Sequence, residues 1–260
     1  AGRRWRPLAG ASRWPRAPRA RAGAMERTSV DPLEAIRNDL ERTFADMPMV
    51  APRKPQISRI LRQYAAENPD VGYTQGMNYV AATMVLKFPD REDLARRHFG
   101  DAMLQFSGFW SDNFPLLNFG VKLFAMLAER RLPSLWAHLV RSGVEPLSYL
   151  PNGWLSLFGK WLPLPAVMEV MDLILEYGIS GVLAVTLAFF EIQENRLLSA
   201  RGMEELLEVI NQDSRTAPLD GELVAECARR WLPRVDEAMQ VTLLRDSASV
   251  GRSSLSRGVG

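Results

Sequence analysis

Two short stretches place polar side chains where packing alone does not ask for them. The first is IRNDLERTF, Ile36 to Phe44, in which Asp39 and Arg42 stand one helical turn apart. At about 100° per helical residue, Arg42 lies nearly opposite a stripe of Leu33, Ile36, Leu40 and Phe44, so its guanidinium faces away from the side that anchors the helix. A planar guanidinium held that way can reach two oxygens of an anion at once. Asp39 is placed to pair with Arg42 or a nearby donor. Taken alone, the same pair also suits an ordinary surface ion pair of small energetic value. The second stretch is NPDVGYTQGMNY, Asn68 to Tyr79. Asn68-Pro69 and Gly72 define a tight loop, after which Gln75 falls in the first turn of a helix, on the face opposite Met77, Val80 and Met84. Gly76 leaves no Cβ to obstruct the approach of another surface. A plain helix start with a solvated Gln is the alternative reading of this stretch.

The elements that must hold these residues are helical throughout. Asp31 can cap a first helix, and Pro32 suits its first position. A second helix follows Pro55, burying Ile57, Ile60, Leu61 and Tyr64, and stops at Asn68-Pro69. The third is predicted from near Tyr73, with Met77, Val80, Ala81, Met84 and Val85 as its buried stripe. Further helices are expected around Ala95 to Phe106, Leu116 to Arg131, Leu135 to Val140, Trp154 to Trp161 and Val167 to Leu175. Val182 to Phe190 is expected to be the most buried, and Leu206 to Ile210 and Leu223 to Trp231 finish the array. Neither strand alternation nor a repeat of fixed period is visible. The fold class expected is all-α, a compact multi-helix array with short connections.

Charge and composition narrow the partners. The net charge is +2, but residues 1–27 hold eight Arg against Glu26 alone, which leaves the rest of the chain negative. The basic balance therefore belongs to the leader, and no nucleic-acid partner is implied. That Arg/Ala/Pro-rich leader, 1–30, lacks a helical or strand period and reads as disordered; it is either a transit-like segment or upstream sequence ahead of a start at Met25. Residues 31–246 form the expected helical domain, and 247–260 read as a disordered Ser/Gly/Arg tail. Cys227 is the only cysteine, and His98 and His138 are the only histidines. No disulfide, Cys-rich metal site or histidine triad is expected, and a reducing cytoplasmic compartment fits. The longest apolar run, Ile179 to Phe190, is too short to span a membrane.

Together the two polar stretches match one family. Ile36, Asp39, Arg42, Thr43 and Phe44, followed by Tyr73, Gln75, Gly76 and Met77, resemble the two catalytic motifs of the TBC domains of Rab GTPase-activating proteins. Asn152 to Gly178 is similar to that family's later block, in which a Trp-bearing segment leads through a Leu-Pro turn into a helix. The resemblance covers roughly Leu33 to Trp231 and implies a TBC-like all-α array. Three departures stand out. The opening R-x-x-W motif has only a faint counterpart at Trp5 to Gly10, with Gly2 in place of its Arg, so the start of the domain reads as missing or replaced. Ala45 stands where Pro often follows Thr-Phe, and Met171-Asp172 replaces Trp-Asp.

What the resemblance implies is activation of a partner's reaction. Arg42 would neutralise charge on the γ-phosphate of GTP, and Gln75 would orient the attacking water. Asp39 would hold Arg42, and Tyr73 would brace the Gln75 loop, with Ile36, Thr43, Gly76 and Met77 in support. The partner implied is a Rab-family small GTPase in its GTP-bound state, which itself carries GTP and Mg²⁺; the chain needs no cofactor or metal of its own. It would not be an enzyme alone, and it would work in vesicle trafficking in the cytoplasm, reaching endomembranes peripherally through its partner. The other reading is a non-catalytic TBC-like scaffold that binds a small GTPase or another partner.

Overall fold

The computed structural model describes residues 31–211 and 219–255, with side chains to residue 242. The expected leader, 1–30, lies outside the described residues. Helices alone make up the regular structure of the described residues. They fall into two compact units, one ending at Pro115 and one beginning at Leu116.

In the first unit, α1 (Pro32–Arg42) begins where the Asp31 carboxylate accepts the Leu33 N–H at 3.0 Å. Ile36 and Leu40 anchor it, but Leu33, expected on the buried stripe, remains 47% exposed. The helix stops at Arg42 because Thr43 turns extended, with ψ 107°, and Phe44 takes φ 44°. Phe44 therefore reaches the core from beyond the helix, and edge-on to Tyr79 at 5.0 Å.

Helix α2 (Lys54–Glu67) buries Ile57, Ile60 and Leu61, as the spacing predicts. It ends at Asn68, whose backbone N–H and side-chain amide both donate to the Tyr64 carbonyl ahead of Pro69. Helix α3 (Met77–Lys87) packs against α1, α2 and α4 (Glu92–Gln105). Its first eight residues are buried except for Tyr79 and include Asn78 and Thr83. A helix apolar nearly all round is a core helix, and it gives the segments that precede it a rigid base. Phe99 of α4 meets Tyr64 of α2 edge to face, closing the far side.

The second unit is built on α9 (Ile179–Ile192), in which every residue from Ile179 to Phe190 is buried. Helices α8 (Leu164–Tyr177) and α12 (Gly221–Leu255) pack against it. Gly181 allows α8 to come close: a Cβ there would sit 2.8 Å from the Leu173 carbonyl oxygen. Helices α5 (Pro115–Arg131), α6 (Pro133–Arg141), α10 (Glu194–Ser199) and α11 (Gly202–Ile210) complete the unit. Glu191 at the end of α9 accepts from Trp231 Nε1 and lies 3.2 Å from Cys227 Sγ, both on α12.

Two expectations here need correction. The aromatic segment from Trp154 to Trp161 is not a helix. Helix α7 (Leu150–Trp154) ends at Trp154, and the chain turns through Leu157 (φ 43°) and Phe158 (φ 71°). Trp154, Leu157, Phe158 and Trp161 have the spacing of one helical face, but Ser156 and Gly159 on the opposite side are buried as well, which a helix with one buried face could not achieve. The Trp154 indole instead donates to Thr186 Oγ1 of α9 at 2.8 Å. The last helix also does not stop at Trp231: α12 carries Pro233 inside it and continues to Leu255, through residues whose composition reads as a tail.

Candidate functional site

The site begins with a buried carboxylate. Asp39 was expected on a flank of α1; its residue is only 4% exposed. Its Oδ1 accepts from Arg42 Nε at 3.1 Å and from Arg42 Nη2 at 2.5 Å. Its Oδ2 accepts the Tyr73 hydroxyl at 2.5 Å. A carboxylate out of water is costly unless its oxygens are paired, and these three donors pair both of them. The Arg42 side chain is nevertheless 64% exposed. One edge of its fork is fixed, while Nη1 takes no part in the pair.

The protonation states follow from the same contacts. The hydrogen bond to Asp39, reinforced by its charge, raises the Arg42 guanidinium above its already high value. Burial first, and then the bond to Asp39, raises the Tyr73 phenol well above the ordinary tyrosine range. Arg42 stays charged and Tyr73 stays a donor at any physiological pH.

Gln75 is exposed, in a turn just before α3 and not in its first helical turn. Helix α3 starts only at Met77, because Gly76 adopts φ 110° and ψ −34°, which glycine alone tolerates readily. The Gly76 N–H donates to Asn78 Oδ1 at 2.9 Å. Asn78 Nδ2 donates to Thr43 Oγ1 at 2.7 Å, and Thr43 Oγ1 donates to the Asp39 carbonyl at 2.7 Å. The Tyr79 hydroxyl lies 3.4 Å from the Arg42 carbonyl oxygen. The residue after Arg42 and the residue after Gln75 are thus joined through one amide side chain.

Of the residues expected at the site, Arg42, Asp39 and Tyr73 form one hydrogen-bonded cluster, and Thr43 and Gly76 form its continuation through Asn78. Ile36 and Met77 are fully buried and act from behind, anchoring α1 and the start of α3. Asn78 and Tyr79 join the site without being among the residues expected there. The signal for Asn78 lay in the sequence: an amide beside Gly76, in a helix otherwise read as apolar, is well placed to catch a turn N–H. The histidines lie elsewhere, His98 stacked on Phe88 and His138 against the Ala200 carbonyl. Among the described residues no group of three or more His, Cys, Asp or Glu could hold a metal ion, and no helix is long and apolar enough to cross a membrane.

What this cluster presents is a half-restrained guanidinium and an exposed carboxamide on linked backbone segments. It defines an all-helical module with an arginine and a glutamine on neighbouring segments. The chain belongs to the Rab-GTPase-TBC domain family, whose family model it matches over residues 17–198. It is 28% identical over 195 residues to the GTPase activating protein Gyp51 of Schizosaccharomyces pombe, an alignment covering 69% of this chain and 19% of that protein. It is 28% identical over 183 residues to Carabin of Mus musculus, covering 68% of this chain and 41% of Carabin. Among solved structures, the Ypt/Rab-GAP domain of Gyp1p matches with a TM-score of 0.66 at 18% identity, over 79% of this chain and 73% of that one. That likeness speaks for the fold. The chain spans about a fifth of the length of the first of these curated relatives and about two fifths of the second.

Proposed function

We propose that the chain activates GTP hydrolysis by a Rab-family small GTPase, lending Arg42 and Gln75 in trans to the GTP-bound partner. GTP and Mg²⁺ arrive with the partner, and the chain contributes no cofactor. Phosphoryl transfer passes through a loose transition state that needs positioned water and positive charge on the transferring oxygens. Arg42 supplies that charge through the part of its fork that Asp39 leaves free. Gln75 orients the attacking water in place of the GTPase's own glutamine. Asp39 and Tyr73 keep both groups from wandering, so that little ordering remains to be done when the partner docks. The chain alone turns over nothing. In the cell this reading puts it in the cytoplasm, drawn peripherally to endomembranes by its partner during vesicle trafficking.

The observation that carries the reading is the shared carboxylate: Asp39 holds Arg42 with one oxygen and Tyr73, two residues before Gln75, with the other. Family membership supports it. The test is single-turnover GTP hydrolysis across a panel of purified Rab proteins, with and without the chain. At least one should be accelerated by about 10³ to 10⁵, the range an arginine supplied in trans contributes. A chain that binds a GTP-loaded Rab and accelerates none is a non-catalytic scaffold instead.

A further inference from the structure

Asn78 lies on α3 at 1% exposure, in a helix whose buried positions are otherwise almost wholly apolar. A buried amide is costly unless both of its ends are paired, and a leucine or methionine would fill the space without that demand. Its partners are informative. The Gly76 N–H can only donate, so the atom facing it at 2.9 Å must be Oδ1. The Thr43 hydroxyl gives its proton to the Asp39 carbonyl, so the atom facing it at 2.7 Å must be Nδ2. Tyr73 Oη lies 3.2 Å from the same amide oxygen. One side chain therefore bridges the turn that carries Gln75 and the helix end that carries Arg42. The Gln75 side chain is exposed, and the backbone at Gly76 sets where it starts.

We propose that Asn78 is a positioning residue, holding the Gln75 turn in register with the Arg42 end of α1 so that the two groups act on one phosphoryl centre. This rests on the GTPase-activating reading above. A shift of the first turn of α3 against α1 must break one of the two bonds, so the amide fixes Gln75 relative to Arg42 and not merely relative to its own helix. A displacement of about 1 Å in such an arrangement can cost about 10²-fold in rate.

The experiment measures single-turnover hydrolysis of GTP by the Rab protein that the parent chain stimulates most, at varied concentrations of the chain. Asn78→Asp keeps the shape and the acceptor for Gly76 but removes the donor to Thr43, whose single hydroxyl proton can then serve the new carboxylate only by leaving the Asp39 carbonyl. Thr43→Val removes the same bond from the other side, and Thr43→Ser restores the hydroxyl. Asn78→Asp and Thr43→Val should each lower the maximal rate about 10- to 100-fold, with the half-saturating concentration within about threefold of the parent. Thr43→Ser should match the parent. In a Gln75→Ala background, Asn78→Asp should cost less than about twofold, because the group it positions is gone. If Asn78→Asp does not fold, judged by far-UV circular dichroism, Thr43→Val with and without Gln75→Ala gives the same comparison. An equal loss with and without Gln75, a weaker half-saturation with an unchanged maximal rate, or a parental rate overturns the inference while the activator reading stands. A parent that stimulates no Rab overturns both.

Discussion

The Tyr73 hydroxyl and the Arg42 guanidinium share the Asp39 carboxylate, one on each oxygen. Tyr73→Phe removes one donor and leaves Oδ2 of a buried carboxylate short of a partner. It should cost about 1–3 kcal/mol of stability in urea unfolding at pH 7. The folded tyrosine titrates far above the unfolded one. Between pH 7 and about pH 10, where both states keep the tyrosine proton and carboxylates are ionised, the parent's advantage over Tyr73→Phe should be constant. Above it the unfolded chain loses the proton while the folded chain retains it, so the advantage should shrink as pH rises. An advantage that grows above pH 10 would show that Tyr73 does not donate to Asp39.

Arg42→Lys keeps a charge and loses the planar fork that reaches Asp39 and two phosphate oxygens together. It should forfeit most of the roughly 10³ to 10⁵ acceleration assigned to an arginine finger. Binding to a GTP-loaded partner, measured by calorimetry with a non-hydrolysable analogue, should survive, since most docking contacts lie elsewhere. Full activity in this variant would remove Arg42 from the chemistry.

Gln75→Ala separates function from fold. The side chain is exposed, and Gly76 and Asn78 hold the turn without it. Its unfolding free energy should stay within about 0.5 kcal/mol of the parent, while stimulated hydrolysis collapses. A large loss of stability would mean that Gln75 holds its own turn.

Gly76→Ala tests the start of α3. At φ 110° a Cβ is strained, and the cost should be about 1–3 kcal/mol. Hydrolysis should fall more steeply than stability, because relaxation of the turn moves Gln75. Equal stability in the alanine variant would contradict the positive φ.

In the second unit, Gly181→Ala places a Cβ 2.8 Å from the Leu173 carbonyl oxygen and 3.0 Å from Ile174 Cα. Neither neighbour is a flexible side-chain tip. Helices α8 and α9 must part, at about 1–3 kcal/mol, which thermal unfolding would register as a lowered midpoint.

The sequence alone determined the helices whose apolar residues repeat at helical spacing, because burial of one face is a local pattern. Ile57, Ile60 and Leu61 of α2 and the stripe of α3 are inside as their spacing requires. Capping by Asp31 was equally legible, since a carboxylate ahead of Pro32 needs only its own backbone. So were Arg42, Asp39, Tyr73 and Gln75 as the residues to watch, through two short motifs.

Only the tertiary structure decided how these are joined. Nothing local tells that Asp39 is buried, because its second partner, Tyr73, arrives from the loop between α2 and α3. Nothing local ends α1 at Arg42, where the buried position of Phe44 decides, whereas the start of α3 at Met77 is set locally by Gly76 and its bond to Asn78. The segment from Trp154 to Trp161 shows the same limit. Trp154, Leu157, Phe158 and Trp161 repeat at helical spacing, yet the burial of Leu157 and Phe158 is reached through left-handed backbone. Periodicity records the faces that single helices bury, whereas polar bridges and left-handed turns are set by partners distant in the chain.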